Sequence, residues 1–476
     1  MDTKRQKNQL ELAFGDEGRG EAPKASSGGT EVSMASRGDE RPASGEFLMK
    51  EVVSSENVKK ALQRVRSNRG SPGVDGMTVK ELPDHLRDRW PAIREQLLSG
   101  EYRPQPVRRV EIPKPGGGVR KLGVPTVLDR LIQQSILQVL QPRWDPTFSE
   151  HSYGFRPGRS AHQAVAQAQQ YIAEGYDWVV DLDLERFFDR VNHDQLMARV
   201  AQRVEDKRVL KLLRAYLNAG VMENGLVGPT TEGTPQGGPL SPLLSNLVLD
   251  ALDRELERRG HRFVRYADDC NVYVKSERAG HRVMESVTRF LQKKLKLKVN
   301  RTKSAVSRPS KRSLLGFSFT GGDRPRRRIS PSARSRFKKR VRELTRRSRS
   351  ASLEQRIAVL SRYLRGWSQY YGFCETTSVL GHLDSWMRRR LRSCVWKQWK
   401  HGRRRFAELR RLDVEHDLAA KTAGSPHGPW RISRSPALSI AFPNALFDSL
   451  ELPRLDPRPR AQAHRTAVYG PVRTVV

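Results

Sequence analysis

Two hydrophobic periods alternate along this chain. Over 126–141, TVLDRLIQQSILQVLQ, Leu128, Leu131, Ile132, Ile136, Leu137 and Leu140 fall at helical spacing and predict a core helix. Residues 54–68 predict another, with Ser54 or Ser55 as N-cap and Ala61, Leu62 and Val65 inward, ending before Gly70. From Leu240 to Leu252 the chain is apolar almost all round, which predicts a buried helix entered through Ser241 and Pro242. The second period is two. WVVDLDL at 178–184 predicts a strand with Trp178, Val180, Leu182 and Leu184 on one face and Val179, Asp181 and Asp183 on the other. HRFVRYADDCNVYVK at 261–275 predicts a hairpin, strands His261–Tyr266 and Cys270–Lys275 joined by Ala267-Asp268-Asp269 at the tip. Residues 106–124 predict another hairpin about Pro115–Gly118, with Arg120 and Lys121 on its returning strand. A helix near 281–296 and a short strand at Leu314–Phe319 follow, so helices and strands are mixed and the fold class is α+β.

Beyond Gly321 the pattern turns helical and basic: residues 324–349 hold eleven arginines and two lysines against one acid, Glu343. Ile357, Leu360, Tyr363 and Leu364 predict one helix face, and Trp386, Leu391, Val395, Trp396 and Trp399 another, interleaved with Arg388–Arg390. The ends differ. Residues 1–45 are rich in Gly, Ser and charge and predict a disordered tail, while 426–476 are Pro- and Ser-rich and predict an extended tail docked on the body.

Charge then narrows the partner. The 476 residues carry 88 Lys and Arg against 52 Asp and Glu, a net +36, so the expected partner is a polyanion and nucleic acid comes first. No apolar run approaches the roughly 20 residues of a membrane span, so no membrane role is expected. The start, MDTKRQKNQLELAF, lacks a signal-peptide core. Three scattered cysteines, Cys270, Cys374 and Cys394, fit free thiols in a reducing compartment.

The acids suggest the chemistry. Two carboxylates in a tight turn repel unless a cation lies between them, and all-oxygen ligation favours a hard ion such as Mg²⁺. Asp181 and Asp183 share a strand face, and period alone does not choose between them. Arg120 and Lys121 can reach a triphosphate or belong to a solvated basic hairpin, and sequence leaves both open. Ser152–Ser160, SYGFRPGRS, predicts a rigid loop in which Arg156 and Arg159 contact phosphates and aromatic rings stack on bases. Two carboxylate-bearing β elements can hold two Mg²⁺ roughly 3.5–4 Å apart for phosphoryl transfer.

In order, the chain contains SPGVDGMT (71–78), GVRKLGVPT (118–126), SYGFRPGRS (152–160), DLDLERFFDRVNHD (181–194), TPQGGPLSPLLSN (234–246), YADD (266–269), LKVNRTKS (297–304) and LLGFSF (314–319). This set resembles group II intron reverse transcriptase/maturases, and YLRGWSQYYGF at 363–373 resembles the start of their thumb, or X domain. The resemblance implies a right-hand polymerase, with fingers and palm over 46–320, a helical thumb over 321–425 and a C-terminal tail over 426–476. It implies that Asp183 and Asp268 bind two Mg²⁺ and that Asp269 completes the cluster. Phe188 packs under the sugar and excludes a 2′-OH, Gln236 contacts the incoming dNTP, Arg120 and Lys121 hold its phosphates, and Lys303 assists pyrophosphate departure. Arg156, Arg159, Arg365, Trp367, Arg388 and Arg389 are the expected nucleic-acid contacts.

The implied partners are intron RNA, an RNA template, a DNA primer or target, and dNTPs, in a bacterial cytoplasm or nucleoid. The implied activity is RNA-directed DNA polymerisation with assistance to splicing and retrohoming. The cysteine pairs of an HNH endonuclease are absent, so the chain resembles class C members and no second-strand cleavage is expected. The alternative is a splicing maturase with little polymerase activity. A non-enzymatic RNA-binding protein would not need Asp183, Asp268 and Asp269 together, and a metal nuclease would not need Phe188 and Gln236.

Overall fold

The computed structural model describes residues 47–113, 118–223, 226–228, 232–233, 237–348 and 351–456. They fall into two compact units, one running to Leu315 with 319–325 added, the other comprising 316–318 and the chain from Arg326.

The first unit opens with helices α1 (Leu48–Val52), α2 (Ser55–Ser67) and α3 (Leu82–Ser99), hairpin strands β1 (Val107–Pro113) and β2 (Val119–Val124), and helix α4 (Val127–Trp144). Ser54 caps α2 by accepting from the Asn57 amide, and Thr126 caps α4 by accepting from the Asp129 amide. Helix α5 (Ala161–Ala173) starts in a capping box between Ser160 and Gln163. Strand β3 (Trp178–Leu182), α6 (His193–Ala201), α7 (Lys207–Asn218), β4 (Val221–Glu223) and β5 (Leu226–Gly228) follow. The unit ends with α8 (Ser241–Arg258), β6 (Arg262–Tyr266), β7 (Asp269–Val274), α9 (Glu277–Lys294) and β8 (Ala305–Ser307). Helix α3 and the β4–β5 pair had no distinct sequence signal; α7 did, with Val209, Leu212, Leu213, Tyr216 and Leu217 buried at helical spacing.

Two four-stranded sheets form, ordered β2-β1-β4-β5 and β6-β7-β3-β8. In the second, β3 lies antiparallel to β7 with Val180 opposite Val272, Asp181 opposite Asn271 and Leu182 opposite Cys270. Facing residues share a side of the sheet. Val180, Leu182, Cys270 and Val272 therefore enter the core together, joined by Leu247 and Leu249 of α8 and Leu291 of α9. The other side, bearing Asp181 and Asn271, is closed at its far end where Tyr171 of α5 packs on Tyr273, ring centres 5.7 Å apart.

The second unit begins with a ribbon of β9 (Phe317–Phe319) and β10 (Arg327–Ile329). It continues as helices α10 (Pro331–Leu344), α11 (Leu353–Tyr371), α12 (Thr377–Gln398), α13 (Gly402–Arg411) and α14 (His416–Ala423). Phe337, Leu360, Leu364, Met387, Leu391 and Trp396 are fully buried among them. The expected extended tail is not extended over its described part. Short helices α15 (Pro429–Ile432), α16 (Pro436–Ala441) and α17 (Asn444–Ser449) bury Ile432, Leu438 and Phe447. Proline at the first turn starts α15 and α16, with Ser435 capping the latter. Helices of four to six residues show no period, which is why composition alone misleads there. The expected tail over 1–45, and residues 457–476, lie outside the described residues.

Candidate active site

The acid cluster grows from the register of β3 on β7. The β6–β7 hairpin turns through two residues, since Tyr266 pairs with Asp269; Ala267 takes φ +56° and Asp268 alone occupies the tip beside it. Asp269 is the first residue of the returning strand rather than part of the tip. Continuing the β3–β7 register one step beyond Leu182–Cys270 places Asp183 opposite Asp269, so the two acid-bearing segments meet at one edge.

Strand β3 ends at Leu182, shorter than the strand expected over 178–184, so Asp183 lies one residue past it, and the two acids are not equivalent. Arg312 donates twice to Asp181 Oδ2, from Nε at 2.8 Å and from Nη2 at 2.5 Å, and its Nη2 also reaches the Lys303 carbonyl at 2.6 Å. Asp183 has one loose side-chain partner, Lys303 Nζ at 3.4 Å, while its backbone is fixed by Ser304 Oγ and the Asn300 amide. Asp181 is therefore neutralised inside the protein, and Asp183 keeps lone pairs for something else.

Electrostatics separate the remaining acids. Burial raises the Asp268 carboxyl above its usual range and repulsion from Asp183 adds to this, while the charges of Arg120 and Arg265 oppose it. Asp269 is crowded by the other carboxyls. Desolvation, then repulsion from Asp268, Asp181 and Asp183, pushes it up to about 7, and Lys303 pulls it back. Four carboxylates this close hold surplus negative charge that a cation would relieve.

Among the described residues no three His, Cys, Asp or Glu side chains form a metal cage. The carboxylates that would be left to hold a cation are Asp183 and Asp268, to which Arg312 does not bond. That fits Mg²⁺, which keeps waters and takes further ligands from substrate phosphates rather than from an all-protein cage.

Around the acids the expected nucleotide contacts divide. Arg120 is exposed on β2 and its charge reaches Asp268. Lys121 points from the opposite face and lies between Glu111 at 3.9 Å and Glu223 at 4.0 Å, so it does not join Arg120. Accordingly, Arg120→Ala is expected to raise the dNTP KM by about 10- to 100-fold, and Lys121→Ala by no more than about twofold, since exposed ion pairs contribute little; steady-state extension kinetics check both. Phe188 is half-buried in a 3₁₀ turn (Phe187–Asp189) that follows Arg186 at φ +50°, its ring edge-on to Phe187 at 5.2 Å. Gly233 is pressed on this turn at φ +93°, where a Cβ would sit 2.9 Å from the Phe188 carbonyl oxygen. The Gly233 amide donates to Val191 O, and its carbonyl lies 2.6 Å from His193 Nε2. Gly233 is thus anchored against Phe188, while Gln236 lies outside the described residues.

Several expected nucleic-acid contacts are instead internal. Arg156 is buried; it pairs with Asp145 and donates to the Asp145, Ser149 and Ser152 carbonyls, so its guanidinium is consumed in shaping its own loop. Arg159 is half-exposed, stacked 5.8 Å over Tyr153, and beside it Phe155 stands 48% exposed. In the second unit Trp367 is buried, 4.5 Å from Phe337 and stacked on Tyr371 at 4.7 Å. Arg388 is buried between Asp384 and Asp448. Arg389 stacks 3.9 Å over Trp430 and donates to its carbonyl, tying down α15. Arg365 remains exposed.

The basic stretch 324–349 singled out in the sequence gathers part of its charge on α10, on residues the sequence did not single out individually. Arg334, Lys338 and Arg342 recur every four residues, Lys338 and Arg342 flank Trp386, and Arg334 and Lys338 line a groove with Ser335 and His382. No acid lines it. Spacing of four along 324–349 was the available signal. Replacing Arg334 and Lys338 together by Ala is expected to weaken RNA binding and to lower the slope of log affinity against log salt by about 1.5. Trp367→Ala is expected instead to cost roughly 3 kcal/mol or more of stability. Filter binding across a salt series and thermal melting separate the two.

The sequence comparisons agree with this division. Residues 112–319 match the reverse transcriptase (RNA-dependent DNA polymerase) family, and residues 334–412 match the group II intron maturase-specific domain. The unit that carries the acid cluster is therefore of the reverse transcriptase class. Protein YkfC of Escherichia coli (strain K12) is 33% identical over 314 residues, 58% of this chain and 81% of YkfC. Group II intron-encoded protein LtrA of Lactococcus lactis subsp. cremoris is 36% identical over 195 residues, 41% of this chain and 32% of LtrA. Nuclear intron maturase 4, mitochondrial, of Arabidopsis thaliana is 33% identical over 138 residues, 29% of this chain and 17% of that protein. The chain spans most of YkfC but about a third of LtrA. It belongs to the group II intron reverse transcriptase/maturase family. Among the described residues no helix is long and apolar enough to cross a membrane.

Proposed function

We propose that this protein is an RNA-directed DNA polymerase that also binds a group II intron RNA, assisting its splicing and its movement into DNA. The observation that supports this most is the unequal pairing of the acids: Arg312 neutralises Asp181, and Asp183 and Asp268 are left with free oxygens at one edge.

In this reading Asp183 and Asp268 hold two Mg²⁺, with Asp269 contributing charge. The ions, when bound, supply the positive charge that stabilises the attacking 3′-oxygen and the leaving pyrophosphate. The protein's own part is positioning and charge. Arg120 offers its guanidinium to the triphosphate from the β2 side. Phe188 presents its ring where a ribose 2′-OH would project, with the Gly233 contact keeping it from moving away. Lys303, beside Asp183, is placed to neutralise charge on the departing phosphates. The separate α10 surface and Arg365 bind RNA without taking part in the chemistry.

The test is incorporation of dTTP on poly(rA)/oligo(dT), with and without EDTA. Incorporation that EDTA abolishes is expected. A folded protein that binds RNA and speeds intron splicing but incorporates nothing would favour the maturase reading, which the match over 334–412 also supports.

A further inference from the structure

Arg265 is a side chain that neither the sequence reading nor the proposed chemistry uses. It sits on β6 with no exposed side-chain surface, facing an equally buried Asp253 on α8. All five of its N–H groups are bonded. Nε and one Nη2 hydrogen go to the two Asp253 oxygens at 2.7 and 2.6 Å. Nη1 donates to Asn246 Oδ1 at 3.0 Å and to the Ala267 carbonyl at 2.9 Å, and Nη2 also donates to Ser152 Oγ at 2.7 Å. A fork with five fixed donors suits this role, and a lysine ammonium could not reproduce it.

The partners matter more than their number. Ala267 is the left-handed residue that turns the chain into Asp268. A non-glycine residue holds positive φ only when its surroundings enforce it. Here two constraints do so. Arg265 holds the Ala267 carbonyl from below. From the other side Gly154 presses so closely that a Cβ there would come within 2.2 Å of the Ala267 nitrogen. The same network fixes Gly154, because Asn246 Nδ2 donates to its carbonyl at 2.9 Å. Asn246 and Asp253 are seven residues apart on α8, two turns, so one helix face grips both the turn and the loop that packs on it.

We propose that Arg265, held by Asp253 and Asn246, is a positioning residue for the Asp268 carboxylate, setting the turn so that Asp268 meets Asp183 in metal-binding geometry. The inference rests on the polymerase reading only in taking Asp268 as a metal ligand. Groups that orient metal ligands typically change metal affinity about 10- to 100-fold when altered.

The test is Mn²⁺ binding to the full chain, read by electron paramagnetic resonance as loss of the free-ion signal, for wild type, Arg265→Lys, Asn246→Ala and Asp268→Asn. The folded fraction of each is measured by near-UV circular dichroism, and affinities are compared per folded molecule. Asp268→Asn is expected to remove the site. Arg265→Lys and Asn246→Ala are expected to weaken it by about tenfold or more, with extension restored by raised Mn²⁺. Asn246→Ala provides the answer if Arg265→Lys fails to fold. Wild-type affinity in the folded positioning variants, or wild-type binding no stronger than that of Asp268→Asn, would overturn the proposal. Weakened Mn²⁺ binding in the positioning variants, with a wild type that binds Mn²⁺ but never extends a primer, would leave the positioning role standing and remove only the polymerase reading.

Discussion

Asp183→Asn is expected to lower primer extension by about 10³-fold or more, while Asp181→Asn keeps measurable activity. A thousandfold loss corresponds to about 4 kcal/mol of transition-state stabilisation, within what a metal ligand supplies. The two acids are two residues apart, Asp181 on β3 and Asp183 one residue past its end, both half-buried, so burial and period do not separate them. Their partners do. Arg312 donates twice to Asp181 and also holds the Lys303 carbonyl, so losing that charge loosens the segment bearing Lys303. The Asp183 carboxylate has only Lys303 Nζ at 3.4 Å as a side-chain partner, and in the proposed site nothing would replace it as a ligand. Single-turnover extension by both variants at saturating dNTP checks this. Equal loss in both would mean that Arg312 does not distinguish them.

The largest stability effect is expected from Asp253→Ala. It leaves a guanidinium with no exposed surface and no directly paired carboxylate, because Asn246, Ser152 and the Ala267 carbonyl supply acceptors but no negative charge, and Asp250 and Asp268 act on it without a hydrogen bond. Removing one partner of a fully buried pair costs roughly 3–5 kcal/mol. For a domain of this size the melting midpoint should fall on the order of 10 °C. Asp417→Ala makes a suitable control, since that carboxylate is 93% exposed and its one ion-pair partner is an exposed histidine. Differential scanning calorimetry of the two variants reads the contrast.

What could be read from the sequence was local. Alternation in WVVDLDL located β3 and put Asp181 and Asp183 on one face, and the apolar run after Ser241 located α8. The YADD hairpin was legible as a hairpin, although its turn is one residue shorter than the three-residue tip expected. Guanidinium fates were not legible. Arg156, Arg388 and Arg389 sit in arginine-rich stretches that look solvent-facing, but Arg156 is consumed by Asp145 and carbonyls of its own loop, Arg388 by Asp384 one turn away and by distant Asp448, and Arg389 by the ring of Trp430. For Arg389 nothing in a local window distinguishes a captured arginine from a free one, whereas Asp384 four residues before Arg388 was a local signal. Two cases did leave a trace. Period two places Lys121 opposite to Arg120. It also places Arg265 on the same side as Phe263, inward, where an unpaired charge is prohibitive and a partner such as Asp253 must exist. The early helices bearing α3, and the short helices α15–α17, were missed for a different reason: interior proline in α3 and brevity in the others blur the helical period.

The central claim is that catalysis resides in the acid edge and RNA binding in a separate basic surface. The most direct test is primer extension on an RNA template with Mg²⁺ and dNTPs, wild type against Asp268→Ala, with RNA affinity measured on the same preparations. The account predicts extension by wild type only, and RNA affinities within about twofold of each other, because the substitution removes a metal ligand and no cationic surface. Equal loss of extension and RNA binding in a folded Asp268→Ala protein, or extension that survives the substitution, would contradict it.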